Sequence, residues 1–180
     1  MKNAIIVTLV ILIIGGFYFI NDSGSDIKVE PTPKTSEGRP DLSNATFIFE
    51  EESITLEKGK NERRIVEDSD IKEETTITDF IAYGDLNNDN KEDAAAIIVQ
   101  SGGGSGVFVY VAGYISGTVR YKGTNAILLG DRVNPQDISI KNGVINVNYL
   151  DRNPDEALAS EPTVSVSKQF TYKNQELQEK

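Results

Sequence analysis

The stretch Tyr83-Gly-Asp-Leu-Asn-Asn-Asp-Asn-Lys-Glu-Asp93 gathers the side chains of this protein best suited to chemistry. Counted from Asp85 as position 1, Asn87, Asp89 and Asp93 stand at positions 3, 5 and 9, and Lys91 stands at position 7. A chain that curls around a hard cation turns alternate side chains inward and offers a main-chain carbonyl at position 7. The spacing therefore predicts a calcium site formed by Asp85, Asn87, Asp89, the carbonyl of Lys91 and Asp93, with the Lys91 side chain free to point away. Position 6 calls for a tight, often left-handed turn, and Asn90 is the most tolerant residue there after glycine. The competing reading is a solvated turn rich in Asn and Asp, which such residues favour without any metal. Against it, Asp85, Asp89 and Asp93 repel one another unless a cation lies among them.

The loop departs from an EF-hand. Position 12 is Ala96, where a bidentate glutamate belongs, and strand-like sequence replaces the flanking helices. The stretch instead resembles the D-x-[DN]-x-[DN]-x-x-x-D calcium loops set between strands in FG-GAP-type repeats and integrin-like propellers. That resemblance covers about ten residues and implies a structural ion. With few charged ligands, affinity is expected in the range of extracellular modules, about 10⁻⁴–10⁻³ M.

Composition removes most other chemistry. Cysteine, histidine and tryptophan are absent. Without Cys or His there is no disulfide, thiol nucleophile, Ser-His-Asp triad or ordinary zinc site. A formal charge of -10, from 28 acidic against 18 basic residues, argues against nucleic acid, whose phosphates require clustered Lys and Arg. Ser101-Gly-Gly-Gly-Ser-Gly106 lacks the Gly-Lys-Ser/Thr ending of a phosphate loop and reads as a flexible hairpin loop. Asp131, Asp151 and Asp155 are conceivable acid and base groups. Beside Arg132 and Arg152 they read better as surface ion pairs and turn caps, and no catalytic residue is expected. Tyr83, Tyr110, Tyr114, Tyr121 and Tyr149 read as core or sheet-face aromatics.

The elements that must position the acidic loop are strands. Thr46–Phe49, Ile54–Leu56, Arg63–Val66, Ile77–Tyr83, Ala94–Val99, Val107–Ala112 and Thr163–Tyr172 are short apolar runs divided by turn signals. In DISIKNGVINVNY, alternating residues flank Asn142-Gly143, a strong hairpin signal. Ala94–Ala96 is compatible with a short helix, although β-branched Ile97, Ile98 and Val99 oppose it. Residues 44–180 are thus expected to form a mainly antiparallel β domain, either a sandwich or a partly open barrel.

Ahead of it, residues 1–20 carry an uncharged apolar run from Ala4 to Ile20, about 26 Å long as a helix. Lys2 precedes the run and Asp22 and Asp26 follow it, which predicts a single-pass anchor with the remainder outside the cytoplasm. Ser23-Gly-Ser25 leaves a cleaved signal peptide as the alternative, in which case the domain is secreted. Residues 21–43, rich in Ser, Gly, Pro and charge, read as a flexible linker.

From about Asn44 onward, GDLNNDNKEDAAAIIVQSGGGSG, KGTNAILLGDRV and IKNGVINVNYLDRNPDEA are similar to a family of small exported bacterial proteins frequent among candidate-phylum genomes. That resemblance implies export and a β fold and supplies no activity. The expectation is a non-enzymatic, membrane-tethered, calcium-stabilised β module that meets a partner at the cell envelope or surface. The alternatives are a glycan- or peptide-binding domain using the Gly-rich loop and nearby tyrosines, and a small carboxylate-dependent hydrolase.

Overall fold

The computed structural model describes residues 39–65 and 70–180. The predicted membrane segment, residues 1–20, and residues 21–38 of the predicted linker lie outside the described residues. Within them the chain is mainly antiparallel β structure without a helix. β1 (Thr46–Phe49) and β2 (Glu52–Thr55) form a hairpin. β3 (Lys60–Arg64), β4 (Lys72–Gly84), β5 (Asp93–Gly102), β6 (Val107–Ile115) and β7 (Lys122–Gly123) follow in order across a second sheet, and β8 (Ile127–Asp131) also pairs with β6. That sheet curls into a half-barrel. β9 (Asn134–Lys141), β10 (Val144–Asp151), β11 (Val164–Lys173) and β12 (Glu176–Glu179) make a four-stranded meander.

β5 explains why the layers stack as they do. Every residue from Asp93 to Ile98 is buried. Because strand side chains alternate, Ala95 and Ile97 enter one core with Val111, Ile145, Val147 and Phe170. Ala94, Ala96 and Ile98 enter a second core with Phe47, Phe49, Ile54 and Leu56. A strand covered on both faces reads as a continuous apolar run, and the alanines keep it thin enough for both neighbours to close. The alanine run therefore serves a sandwiched strand, not a short helix.

The ordered contacts begin ahead of Asn44. Leu42 is buried in the second core, and the Arg39 guanidinium lies 4.6 Å from the Tyr83 ring centroid. Asn142 (φ 52°) and Gly143 (φ 73°) take the two left-handed positions of a type I′ turn, which sets the β9–β10 register. Asn174 (φ 53°) and Gln175 (φ 68°) do the same between β11 and β12 without a glycine.

Asn125 joins the layers. Its backbone bridges to Ile48 in parallel, and its side chain behaves like a strand partner of β12. Asn125 Oδ1 accepts the Leu177 amide at 2.7 Å while its Nδ2 donates to the Leu177 carbonyl at 3.1 Å.

Candidate functional site

The acidic loop closes the hairpin between β4 and β5, whose last pair is Gly84 with Asp93. A side chain at Gly84 would meet Ile140 Cγ2 at 2.7 Å, so glycine lets β4 approach β9 where the loop begins. The loop then curls around one carboxylate. Asp85 Oδ1 accepts the amides of Asn88 (2.7 Å) and Asp89 (3.3 Å), and Oδ2 accepts that of Asn90 (2.9 Å). Asn88 and Asn90 both take left-handed backbone, each at φ 62°, as the sequence requires at Asn90. Asn87 Oδ1 accepts the Asp89 amide, and Asp89 Oδ1 accepts the Lys91 amide, each at 2.9 Å.

A second anchor lies across the chain at the end of β6. Asp93 is fully buried and accepts the amides of Leu86 and Ser116, one on each oxygen, both at 2.7 Å. The Ser116 hydroxyl donates to Asp89 Oδ2 at 2.7 Å, and Asn87 Nδ2 donates to the Ser116 carbonyl at 3.2 Å. The Ser116 hydrogen bond, opposed by partial desolvation and aided by the Lys91 amide, holds Asp89 below the ordinary carboxylate value. Lys91 does not point away. Its ammonium donates to the Gly117 carbonyl at 3.2 Å and lies 3.9 Å from Asp89 Oδ2, bringing positive charge to the crowded carboxylates. Tyr121, stacked on Tyr114 with ring centroids 5.3 Å apart, donates to the Glu92 carbonyl at 3.0 Å.

No protein family, curated protein or solved structure matches this chain.

All five predicted residues, Asp85, Asn87, Asp89, Lys91 and Asp93, lie in or beside this one loop. As placed, their carboxylates serve the chain's own amides. Among the described residues no three acidic side chains are set to hold a metal ion together. Asp85 Oδ1 already takes two amides, whereas Asp85 Oδ2, Asp89 Oδ1 and both Asp93 oxygens each accept one hydrogen bond and have capacity for a second partner. Ser116 is the residue that sequence reasoning missed. It follows an ordinary apolar strand, and nothing local distinguishes it from other turn serines.

Asp131 and Asp151 also have structural partners. Asp131 Oδ1 accepts the Val107 amide at 2.9 Å and its Oδ2 pairs with Arg132 at 3.2 Å. Asp151 Oδ1 accepts the Arg152 amide at 2.7 Å, and Arg152 in turn donates to the Arg132 carbonyl at 3.0 Å. The Gly-rich stretch connects β5 to β6, with Ser101 opposite Val107. Beside it opens a cavity of about 620 Å³.

Proposed function

We propose that this protein is a non-enzymatic β module, tethered to the outer side of the cytoplasmic membrane, whose acidic loop braces the fold and takes up calcium. The observation that carries the bracing role is the Asp93 carboxylate, which ties the start of the loop to the end of β6 through two buried amides. A carboxylate committed in this way is a fastening, not an acid or a base. The backbone partners of Asp131 and Asp151 support the same reading.

The calcium reading rests on the spacing of Asp85, Asn87, Asp89 and Asp93 and on the left-handed Asn90. An incoming ion competes with the amides and with Lys91 for these oxygens, so affinity is expected to be low, in the millimolar range typical of extracellular modules. Calcium binding is expected to give measurable heat with the full-length chain in non-ionic detergent and to raise its melting temperature. At 100 times Kd the gain is about 2.7 kcal/mol. Magnesium, with its strict octahedral shell, is expected to do less. Asp85→Ala should abolish the response, while Asp131→Ala should keep it. Absence of both heat and thermal shift at millimolar calcium would reduce the loop to a hydrogen-bonded brace.

The tether rests on the apolar run Ala4–Ile20 and the charges around it. The native chain is expected in the membrane fraction, with its domain digested by protease added outside the cytoplasmic membrane. Recovery of the intact chain as a soluble cytoplasmic protein would overturn this topology.

A further inference from the structure

The cavity beside the Gly-rich loop lies far from calcium chemistry in its lining. Glu50 and Glu51 form the turn between β1 and β2, and Glu52 and Glu73 stand next to them. Among the described residues the single cationic side chain in the wall, Arg63, is tied to both Glu52 and Glu73. Glu50 and Glu51 make no ion pair among the described residues. Four carboxylates against one guanidinium leave the cavity strongly negative.

The rest of the wall is apolar and aromatic. Phe108 and Leu128 are 39% and 47% exposed, although they belong to strands of a well-packed sheet. Phe49 and Tyr110 meet edge to face, with centroids 5.1 Å apart. Gln100, only 8% exposed, lines the cavity with just two long hydrogen bonds, 3.4 Å to Thr75 and 3.4 Å to Tyr110. Burial first, and then the charges of Glu50 and Glu73, raise the Tyr110 hydroxyl above its ordinary value, so the negative field reaches the ring.

Two backbone features keep the cavity as it is. Glu50 holds a left-handed conformation at φ 52°, in a two-residue turn where glycine would be unstrained. The chain carries a carboxylate at a position that disfavours any side chain. Gly102 admits no Cβ at all, since one would lie 2.3 Å from the Lys72 carbonyl oxygen.

We propose that this cavity binds an organic cation, an ammonium nitrogen carried on an apolar body. The carboxylates attract and neutralise the charge, the aromatic rings receive it through cation–π contact, and Phe108 with Leu128 covers the attached hydrocarbon. A bare metal ion wants an all-oxygen shell, which a half-apolar wall cannot give. The inference is independent of the calcium reading, because no residue of the acidic loop lines this cavity.

Calorimetric titration of the full-length chain in non-ionic detergent with choline tests it, beside 3,3-dimethyl-1-butanol, the uncharged isostere, and blank titrations into detergent. Choline is expected to bind saturably, and the isostere about tenfold more weakly or not at all. Glu50→Gly removes a carboxylate while relaxing the turn, and Phe108→Ala trims a half-exposed ring, so both variants should fold. Each is expected to weaken choline binding about tenfold, whereas Asp85→Ala should leave it unchanged. Equal binding of choline and its isostere, wild-type affinity in both variants, or no saturable heat with choline would overturn the proposal.

Discussion

Asp93→Ala is expected to lower the unfolding free energy by about 3–5 kcal/mol, the largest loss from any change in the acidic loop. The substitution strands the amides of Leu86 and Ser116, both in residues less than a tenth exposed, and leaves a small void between β5 and the end of β6. A buried donor left without an acceptor loses about 1–3 kcal/mol, and bonds to a charged acceptor lie at the upper end. Asp93→Asn retains an acceptor on one side and turns an NH₂ group against an amide on the other, so it should fall between wild type and alanine. Urea denaturation in the presence of a chelator is the appropriate measurement. An undiminished loss there separates the brace from any ion, and a loss below about 1 kcal/mol would refute the bracing role.

Phe170→Ala and Phe47→Ala are each expected to destabilise the domain by about 3–5 kcal/mol, as usual when a fully buried ring is truncated. The two rings belong to different cores on opposite faces of the curled sheet, and neither is exposed. Both cores nevertheless draw on consecutive residues of β5. Loss of either ring should therefore lower one shared unfolding transition and not split it. Coincident far-ultraviolet dichroism and tyrosine fluorescence curves check this, and a biphasic curve in either variant would show that the β1–β2 layer unfolds by itself.

Much of the scaffold was legible because strand signals are local. Thr46–Phe49 is observed with the bounds expected, and Asn142-Gly143 turns as its residue types require. Strand ends were less legible. β4 and β5 run well beyond the apolar segments Ile77–Tyr83 and Ala94–Val99, because polar residues such as Glu73, Glu74 and Gln100 pair through their backbones. β12 was missed for the same reason. ELQE buries only Leu177, and its partner turn Asn174-Gln175 carries no glycine. At the acidic loop, the left-handed Asn90 and the convergence of the five residues on one hairpin followed from spacing. The partnership of Asp93 with Ser116 did not, because it depends on how β6 ends, 23 positions further along the chain. The cavity was illegible for a similar reason: its carboxylates come from the β1–β2 turn, β2 and β4, and its aromatic and apolar wall from β1, β6 and β8.

Asn125 has a consequence for how quickly the molecule can form. The meander β9–β12 is built from neighbouring hairpins and closes through short-range pairing. The β1–β2 hairpin buries its apolar face only once β5 and β6 exist, and its bridge waits for Asn125. The same residue then receives Leu177, 52 positions later. Folding rate falls as contacting residues lie further apart along the chain, since loop-closure entropy must be overcome before such contacts are rewarded. A chain of this design keeps Phe47, Phe49, Ile54 and Leu56 uncovered until β5 and β6 have formed, and the docking of β1 and β12 on residue 125 is expected among the late steps of folding.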